Sequence, residues 1–305
     1  MPRRYAIYDV FTDQRLAGNP LAVIFDTEGL SEQAMQSIAR EMNLSETVFL
    51  GPAEANGHAA KIRIFTPGKE LPFAGHPTVG AAIALAEREH SVGNTDIDVV
   101  SVLEEEVGPV RCAIRMRRGV ATFAEFELPK TPRCIDIPLD RSGIADSLTL
   151  KSTDMAFENH ALSVWSAGVP FLLIPLRNLS TIQNLEFEAT LWERVAPFVD
   201  GALASAYVYC RGGVHHQAKF HARMFSPEMG ISEDPATGAA VAALAGAIQK
   251  FDALPEGHHP LVVEQGVEIG RPSFIHLHID SAGGEIAKAR IGGQAVKVAE
   301  GMIEV

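Results

Sequence analysis

Three acid or base side chains in this sequence sit in surroundings that would give them chemistry. In Asn43-Leu-Ser-Glu-Thr-Val-Phe-Leu50, strand alternation puts Glu46 on one face with Leu44, Val48 and Leu50. A carboxylate on an apolar face is partly desolvated. That raises its pKa toward the value an acid/base catalyst needs at neutral pH. The ordinary alternative is a strand-end glutamate that reaches water. His76 and Asp234 each stand directly before a proline, in His76-Pro-Thr-Val-Gly80 and Asp234-Pro-Ala-Thr-Gly238. Proline suits the first turn of a helix, where its missing N–H costs nothing. His76 and Asp234 are then expected at the two N-caps. Aspartate is a common cap, so Asp234 alone is as well explained by structure as by function. Histidine is not a favoured cap, so His76 points to function.

The elements that must position these residues occur twice. Arg63-Ile-Phe-Thr-Pro67 and the His76 motif are matched by Arg223-Met-Phe-Ser-Pro227 and the Asp234 motif. Leu16-Ala-Gly-Asn-Pro-Leu-Ala-Val-Ile-Phe25 matches Ser166-Ala-Gly-Val-Pro-Phe-Leu-Leu-Ile-Pro175. Val107–Ile114 matches Ile269–His276 more loosely. The matches keep their order, which implies two related halves with a cleft between them rather than a short-period repeat. Both repeated helices, Val79–Ala86 and Gly238–Ala247, lack a polar face, so each must be buried all round. Their small side chains let a curled sheet wrap close. Their first turns, with unpaired N–H groups, a positive dipole end and Gly80 or Gly238, would together hold a small carboxylate. The half carrying Asp234 has no acid where the other has Glu46: Leu203-Ala-Ser-Ala-Tyr-Val-Tyr209 is the matching stretch.

Strands are expected over 5–11, 21–25, 46–50, 60–65, 110–115, 119–127, 206–210, 217–225, 274–279 and 288–298, forming mainly antiparallel sheets. A helix is expected from Ser31, its N-cap, to Met42. The stretch from Pro129 to Asp146, rich in proline and charge, reads as the linker. The chain of 305 residues has room for two cores. Its formal charge of −12 and lack of a basic block argue against nucleic acid as a partner. The alanine-rich runs are too short to span a bilayer. Three scattered cysteines, Cys112, Cys134 and Cys210, suggest a reducing cytoplasm.

Taken together, Asp9-Val-Phe-Thr12, Gly18-Asn-Pro20, Asn43–Thr47, Arg63–Pro67, Pro72–Gly80, Glu233–Gly238 and Gln265–Ser273 resemble the phenazine-biosynthesis PhzF-like family, within the diaminopimelate-epimerase fold. The resemblance covers essentially the whole chain. It implies an α+β fold of two pseudo-symmetric lobes, each a curled antiparallel β-barrel around a central helix. The lobes would be 1–128, with the C-terminal strand 292–305 returning to it, and 129–291. It also implies a cofactor-free isomerase, often a homodimer. Glu46 would be the general acid/base, moving a proton between carbons of a cyclic or amino-acid-like carboxylate. Asn19, Gly75, His76, Asp234, Gly238 and Ala239 would bind the substrate. Phenazine-pathway members carry serine where this chain has Ala239. That departure weakens 2,3-dihydro-3-hydroxyanthranilate isomerisation more than it weakens acid/base isomerisation as a class.

Other chemistries fit less well. Epimerases of this fold place a cysteine at each helix start, where this chain has His76 and Asp234. His215, His216 and His221 read as polar strand histidines rather than a metal site, with no acid or cysteine in the motif. His258-His259 reads as loop. No phosphate-binding glycine motif or hydrolase nucleophile frame is present. The rival to an isomerase is a protein that binds a small carboxylate without chemistry. Deuterium uptake from solvent by a bound ligand would separate the two.

Overall fold

The computed structural model describes residues 2–90, 96–118, 120–199 and 201–305. The chain divides into two compact units, Met1–Pro129 with Gly292–Val305, and Lys130–Ile291. The first unit holds β1 (Arg3–Val10), β2 (Asn19–Ile24), α1 (Glu32–Met42), β3 (Glu46–Gly51), β4 (Ala60–Phe65) and β5 (Glu70–Leu71). It continues with α2 (Gly75–His90), β6 (Ile97–Glu105), β7 (Gly108–Arg117) and β8 (Val120–Glu127). The second begins with β9 (Arg133–Ile135), α3 (Arg141–Ser147), β10 (Ser163–Ser166), β11 (Pro170–Pro175), α4 (Leu179–Asn184) and α5 (Ala189–Val195). After β12 (Phe198–Val199) and β13 (Ala202–Leu203) come β14 (Ser205–Arg211), β15 (Phe220–Ser226) and β16 (Ile231–Asp234). The chain then forms α6 (Gly238–Asp252), β17 (Gly257–Gln265), β18 (Ser273–Ala282) and β19 (Glu285–Gly293). It closes with β20 (Ala295–Ile303) in the first unit.

In the first unit the strands lie in the order β20-β1-β2-β3-β4-β6-β7-β8. The sheet is mixed rather than wholly antiparallel. β2 runs parallel to β3 and β4 to β6, because α1 and α2 carry the chain back across the sheet between them. The second unit repeats this pattern, with β11 parallel to β14 and β15 to β17. Each sheet curls on its own helix. α2 touches β1, β2, β3, β6, β7, β8 and β20, and α6 touches β9, β10, β11 and β18. As the lack of a polar face requires, every residue from Gly75 to Ala86 is buried, and so is every residue from Ala240 to Gln249. Gly80 packs tightly: a Cβ there would lie 2.4 Å from Leu21 Cδ2, so Leu21 would have to shift.

The Ser31 cap forms as expected, its hydroxyl accepting from Ala34 N at 3.2 Å. Four expectations need correction. The stretch 129–146 is no free linker. β9 pairs with β10, α3 starts at Arg141, and Ile135, Ile137 and Leu139 pack on the second unit's core. His258 and His259 lie in β17, where His258 faces Asp280 across the ladder and bonds it at 2.6 Å. His215 and His216 fall in a turn, and only His221 is in a strand. The expected strand 288–298 is two strands meeting at Gln294, whose carbonyl accepts from Phe11 N and Thr12 N. A Cβ at Gly293 would meet Phe11 Cδ1 at 2.4 Å. Within the expected strand 119–127, Gly119 lies outside the described residues.

Candidate active site

The register of β2 and β3 places Glu46. Leu21 and Glu46 are partners in the parallel ladder, and Asn19, two residues before Leu21, shares their face of the sheet. That face meets α2, since Leu21 is the residue against which Gly80 packs. One helical turn before Gly80, His76 comes within reach of Glu46: Nε2 and Oε2 are 3.3 Å apart. Both side chains are buried, Glu46 at 8 % exposure and His76 at 5 %. His76 Nε2 makes no hydrogen bond among the described residues, so the contact is close but out of line for one. Burial pushes the imidazole down to about 3, which keeps it neutral at physiological pH.

The buried setting of Glu46 does not come from alternation. All of β3 up to Leu50 is buried on both faces, with Thr47 and Phe49 as deep as Val48 and Leu50. Asn19 is fully buried at the head of β2. The turn before it needs glycine: Gly18 has φ +66°, and a Cβ would lie 2.4 Å from the Val10 carbonyl oxygen. Gly75 is the first residue of α2, so His76 is inside the first turn and not its cap. The Ala74 carbonyl accepts from Thr78 N, which makes Ala74 the residue that caps the helix. Helix geometry leaves the N–H groups of Gly75 and His76 without an intrahelical partner.

Asp234, Gly238 and Ala239 lie in the second unit. Asp234 is not a cap either. It ends β16, and α6 starts four residues later at Gly238, with Thr237 as the N-cap. Side chains replace the helix in satisfying this segment. Thr237 Oγ1 donates to Asp234 Oδ2 at 2.5 Å. Gln265 Nε2 donates to the Asp234 carbonyl at 2.8 Å, and Gln265 Oε1 accepts from Thr237 N at 3.3 Å. Gly266, at φ +79°, lets the chain pass Pro235, whose carbonyl oxygen would be 2.5 Å from a Cβ there. Ala239 is partly exposed and offers only a methyl group. Gln265 and Thr237 were not singled out by sequence. The only signal was their place in the Glu233–Gly238 and Gln265–Ser273 motifs.

Arg63 and Arg223 serve the scaffold. Arg223 forms a two-point pair with Glu233 (2.9 and 2.8 Å) and donates to the carbonyls of Ile182 and Leu185. Arg63 forms the same pair with Glu70 (2.6 and 2.5 Å) and reaches Glu32. Each guanidinium lies over the phenylalanine two residues on, Phe65 or Phe225, at 5.1 and 5.0 Å. His221 is buried between Glu264 (2.6 Å) and Glu268 (2.8 Å). Burial disfavours its imidazolium, but the two carboxylates outweigh that and hold it up at about 9. Among the described residues no three His, Cys, Asp or Glu side chains group as metal ligands, and no helix is long and apolar enough to cross a membrane.

The fold defines the class. A phenazine biosynthesis protein of the PhzF family from Bacillus anthracis superposes with a TM-score of 0.87 at 25 % identity, covering 100 % of both chains. The protein is thus an α+β chain with two lobes of like build. Its sequence matches the phenazine biosynthesis-like protein family, PhzC-PhzF, over residues 8–301, and the chain belongs to that family. It is 51 % identical over 302 residues to an uncharacterized isomerase of Mesorhizobium japonicum, covering 99 % of this chain and 98 % of the relative. It is 34 % identical over 298 residues to the trans-2,3-dihydro-3-hydroxyanthranilate isomerase of Pseudomonas aeruginosa, covering 98 % of each. The protein is an isomerase of this family.

Proposed function

We propose that this isomerase moves a proton between two carbons of a small cyclic or amino-acid-like carboxylate, with Glu46 as the acid/base and no cofactor. The Glu46 carboxylate takes a proton from carbon. The electron pair shifts along the substrate as a double bond migrates, and the Glu46 carboxylic acid returns the proton at another carbon. The product is an isomer, and the enzyme ends as it began. One observation carries this reading: a buried carboxylate stands 3.3 Å from a buried imidazole that makes no other bond through that nitrogen. A neutral His76 can orient substrate without forming an ion pair that would hold the Glu46 carboxylate ionised.

Asn19, Gly75 and His76 are assigned to substrate binding, with N–H groups at the start of α2 available to a carboxylate. Asp234, Gly238 and Ala239 are assigned to it from the second unit. The Pseudomonas relative suggests trans-2,3-dihydro-3-hydroxyanthranilate as the first compound to test. Ala239 brings no hydroxyl to such a substrate, so slow turnover of it would point to a different ring or side chain.

The test is Glu46→Gln, which keeps shape and removes the base. Turnover is expected to fall about 10²–10⁴-fold, the usual contribution of such a group, with ligand affinity retained. Turnover at the parent rate would remove Glu46 from the mechanism.

A further inference from the structure

Thr78 lies in the first turn of α2, two residues after His76. Its hydroxyl oxygen is 2.7 Å from the Ala74 carbonyl oxygen and 2.8 Å from Glu105 Oε1. Each of these short oxygen–oxygen contacts needs a proton between its atoms. A hydroxyl carries one proton and a carbonyl none. The threonine proton serves Ala74, which can only accept, so the proton in the second contact belongs to Glu105. The other carboxyl oxygen agrees. Glu105 is 8 % exposed, and its Oε2 is buried with no hydrogen-bond partner among the described residues. An ionised oxygen left that way is costly, and a buried carboxyl avoids the cost by keeping its proton.

The second unit contains the matching position. In the parallel ladders, Lys61 pairs with Glu104 and His221 with Glu264, so Glu105 corresponds to Gln265. Gln265 cannot ionise. Its amide donates to the Asp234 carbonyl and to Thr237 Oγ1 (2.8 and 3.0 Å), fastening the segment that leads into α6. Glutamic acid in its neutral form is the nearest mimic of that amide.

We propose that Glu105 is a neutral carboxylic acid that donates a hydrogen bond to Thr78 and thereby holds the turn carrying His76, making it a positioning residue for the site. Its link to catalysis rests on the reading of Glu46 and His76 given above. Burial pushes the Glu105 carboxyl up to about 8. The groups around it leave this intact. Cys112 on β7 is neutral, its thiol pushed up by burial and then by Glu105. Arg63 on β4 and Glu70 on β5 line the adjoining groove but are bonded to each other. Lys61 is paired with Glu54, and Glu104 with His58. His76, on α2, is neutral.

Glu105→Gln keeps a donor and removes the titration. The full-length wild type and variant are compared by urea unfolding from pH 5 to 9. Amide hydrogen exchange of the segment 75–82 is followed in parallel. A carboxyl with a raised folded-state pKa contributes stability that is complete below its unfolded value near 4.5 and is lost as pH rises to about 8. The wild-type folding constant should therefore fall relative to that of Glu105→Gln by about tenfold per pH unit between 5 and 8. Above pH 8 the first turn of α2 should lose protection in the wild type and keep it in the variant. Parallel profiles with equal protection would overturn the proposal. If Glu105→Gln does not fold, Thr78→Val serves instead: loss of protection in that turn at every pH is expected, and unchanged protection would overturn it. Neither readout needs turnover, so a failure of the Glu46 mechanism would be seen separately. Where turnover is measured, its decline above pH 8 should be absent in Glu105→Gln.

Discussion

The two central helices begin differently although their sequences match. In the first unit α2 starts at Gly75, five residues before Gly80, and carries His76 inside its first turn toward Glu46. In the second, α6 waits until Gly238, the residue that matches Gly80, and leaves Asp234 at the end of a strand. The partners available explain the difference. Gln265 can both donate and accept, so it satisfies the Asp234 carbonyl and the Thr237 N–H without a helix. Glu105 in the first unit hydrogen-bonds a threonine hydroxyl instead of that backbone, which satisfies itself by coiling. A duplicated frame has thus been given one end that presents an imidazole to a carboxylate and another that presents an aspartate on a braced loop.

Two matching loops, one in each unit, differ in depth. Glu104 accepts from Glu54 N and Ala55 N and contacts His58, while Glu264 accepts from Val214 N and His215 N and contacts His221. The two backbone N–H contacts match, but His221 comes from a strand, bonds a second carboxylate and is fully buried, whereas His58 comes from a loop and is not. His221→Gln should therefore have the largest effect on stability. Leaving two buried carboxylates without their cation costs about 3–5 kcal/mol, read by denaturant midpoint. His58→Gln should leave the midpoint near wild type, and equal losses would break the comparison. The sign with pH is also set. His221 has a folded pKa near 9, above its unfolded 6.5, so its contribution is complete below 6.5 and is lost as pH rises to 9. His221→Gln should flatten that alkaline decline.

A smaller effect separates the two arginines. Arg223→Lys breaks a buried two-point pair and should cost about 1.5–3 kcal/mol in urea unfolding. Arg63 is the more exposed, and Arg63→Lys should cost less. The reverse order would mean that the second unit's core does not depend on its guanidinium. The smallest change expected is from Ala239→Ser. It adds a hydroxyl at a partly exposed helix position, so stability should stay within about 0.5 kcal/mol. Any effect should appear in substrate preference.

Much of this was legible in the sequence for one physical reason: the two helices have no polar face, so a wrapped sheet was the simplest way to bury them, ahead of a pair of helices packed on one face of a sheet. The pairing of Glu46 with His76 was harder to see. It depends on the Leu21–Glu46 register and on a helix that starts earlier than its proline suggests. Proline at the third helical position is tolerated as well as at the first, since neither N–H has an intrahelical partner. Strand β6 is missing from the expected strands, and it ends in the acids Glu104 and Glu105. The alternation Ser101, Leu103, Glu105 was the overlooked sign that one of those acids points inward. The bracing role of Gln265 could not be read at all, because its partners lie about 30 residues away in the chain.

The central claim is that Glu46 carries a proton between substrate carbons. The most direct measurement is incorporation of solvent deuterium into trans-2,3-dihydro-3-hydroxyanthranilate or a panel of small cyclic carboxylates, with wild type and Glu46→Gln side by side. The account predicts deuterium at carbon with the wild type and at least a hundredfold slower incorporation with Glu46→Gln, at similar ligand affinity. Equal incorporation by both proteins would contradict it.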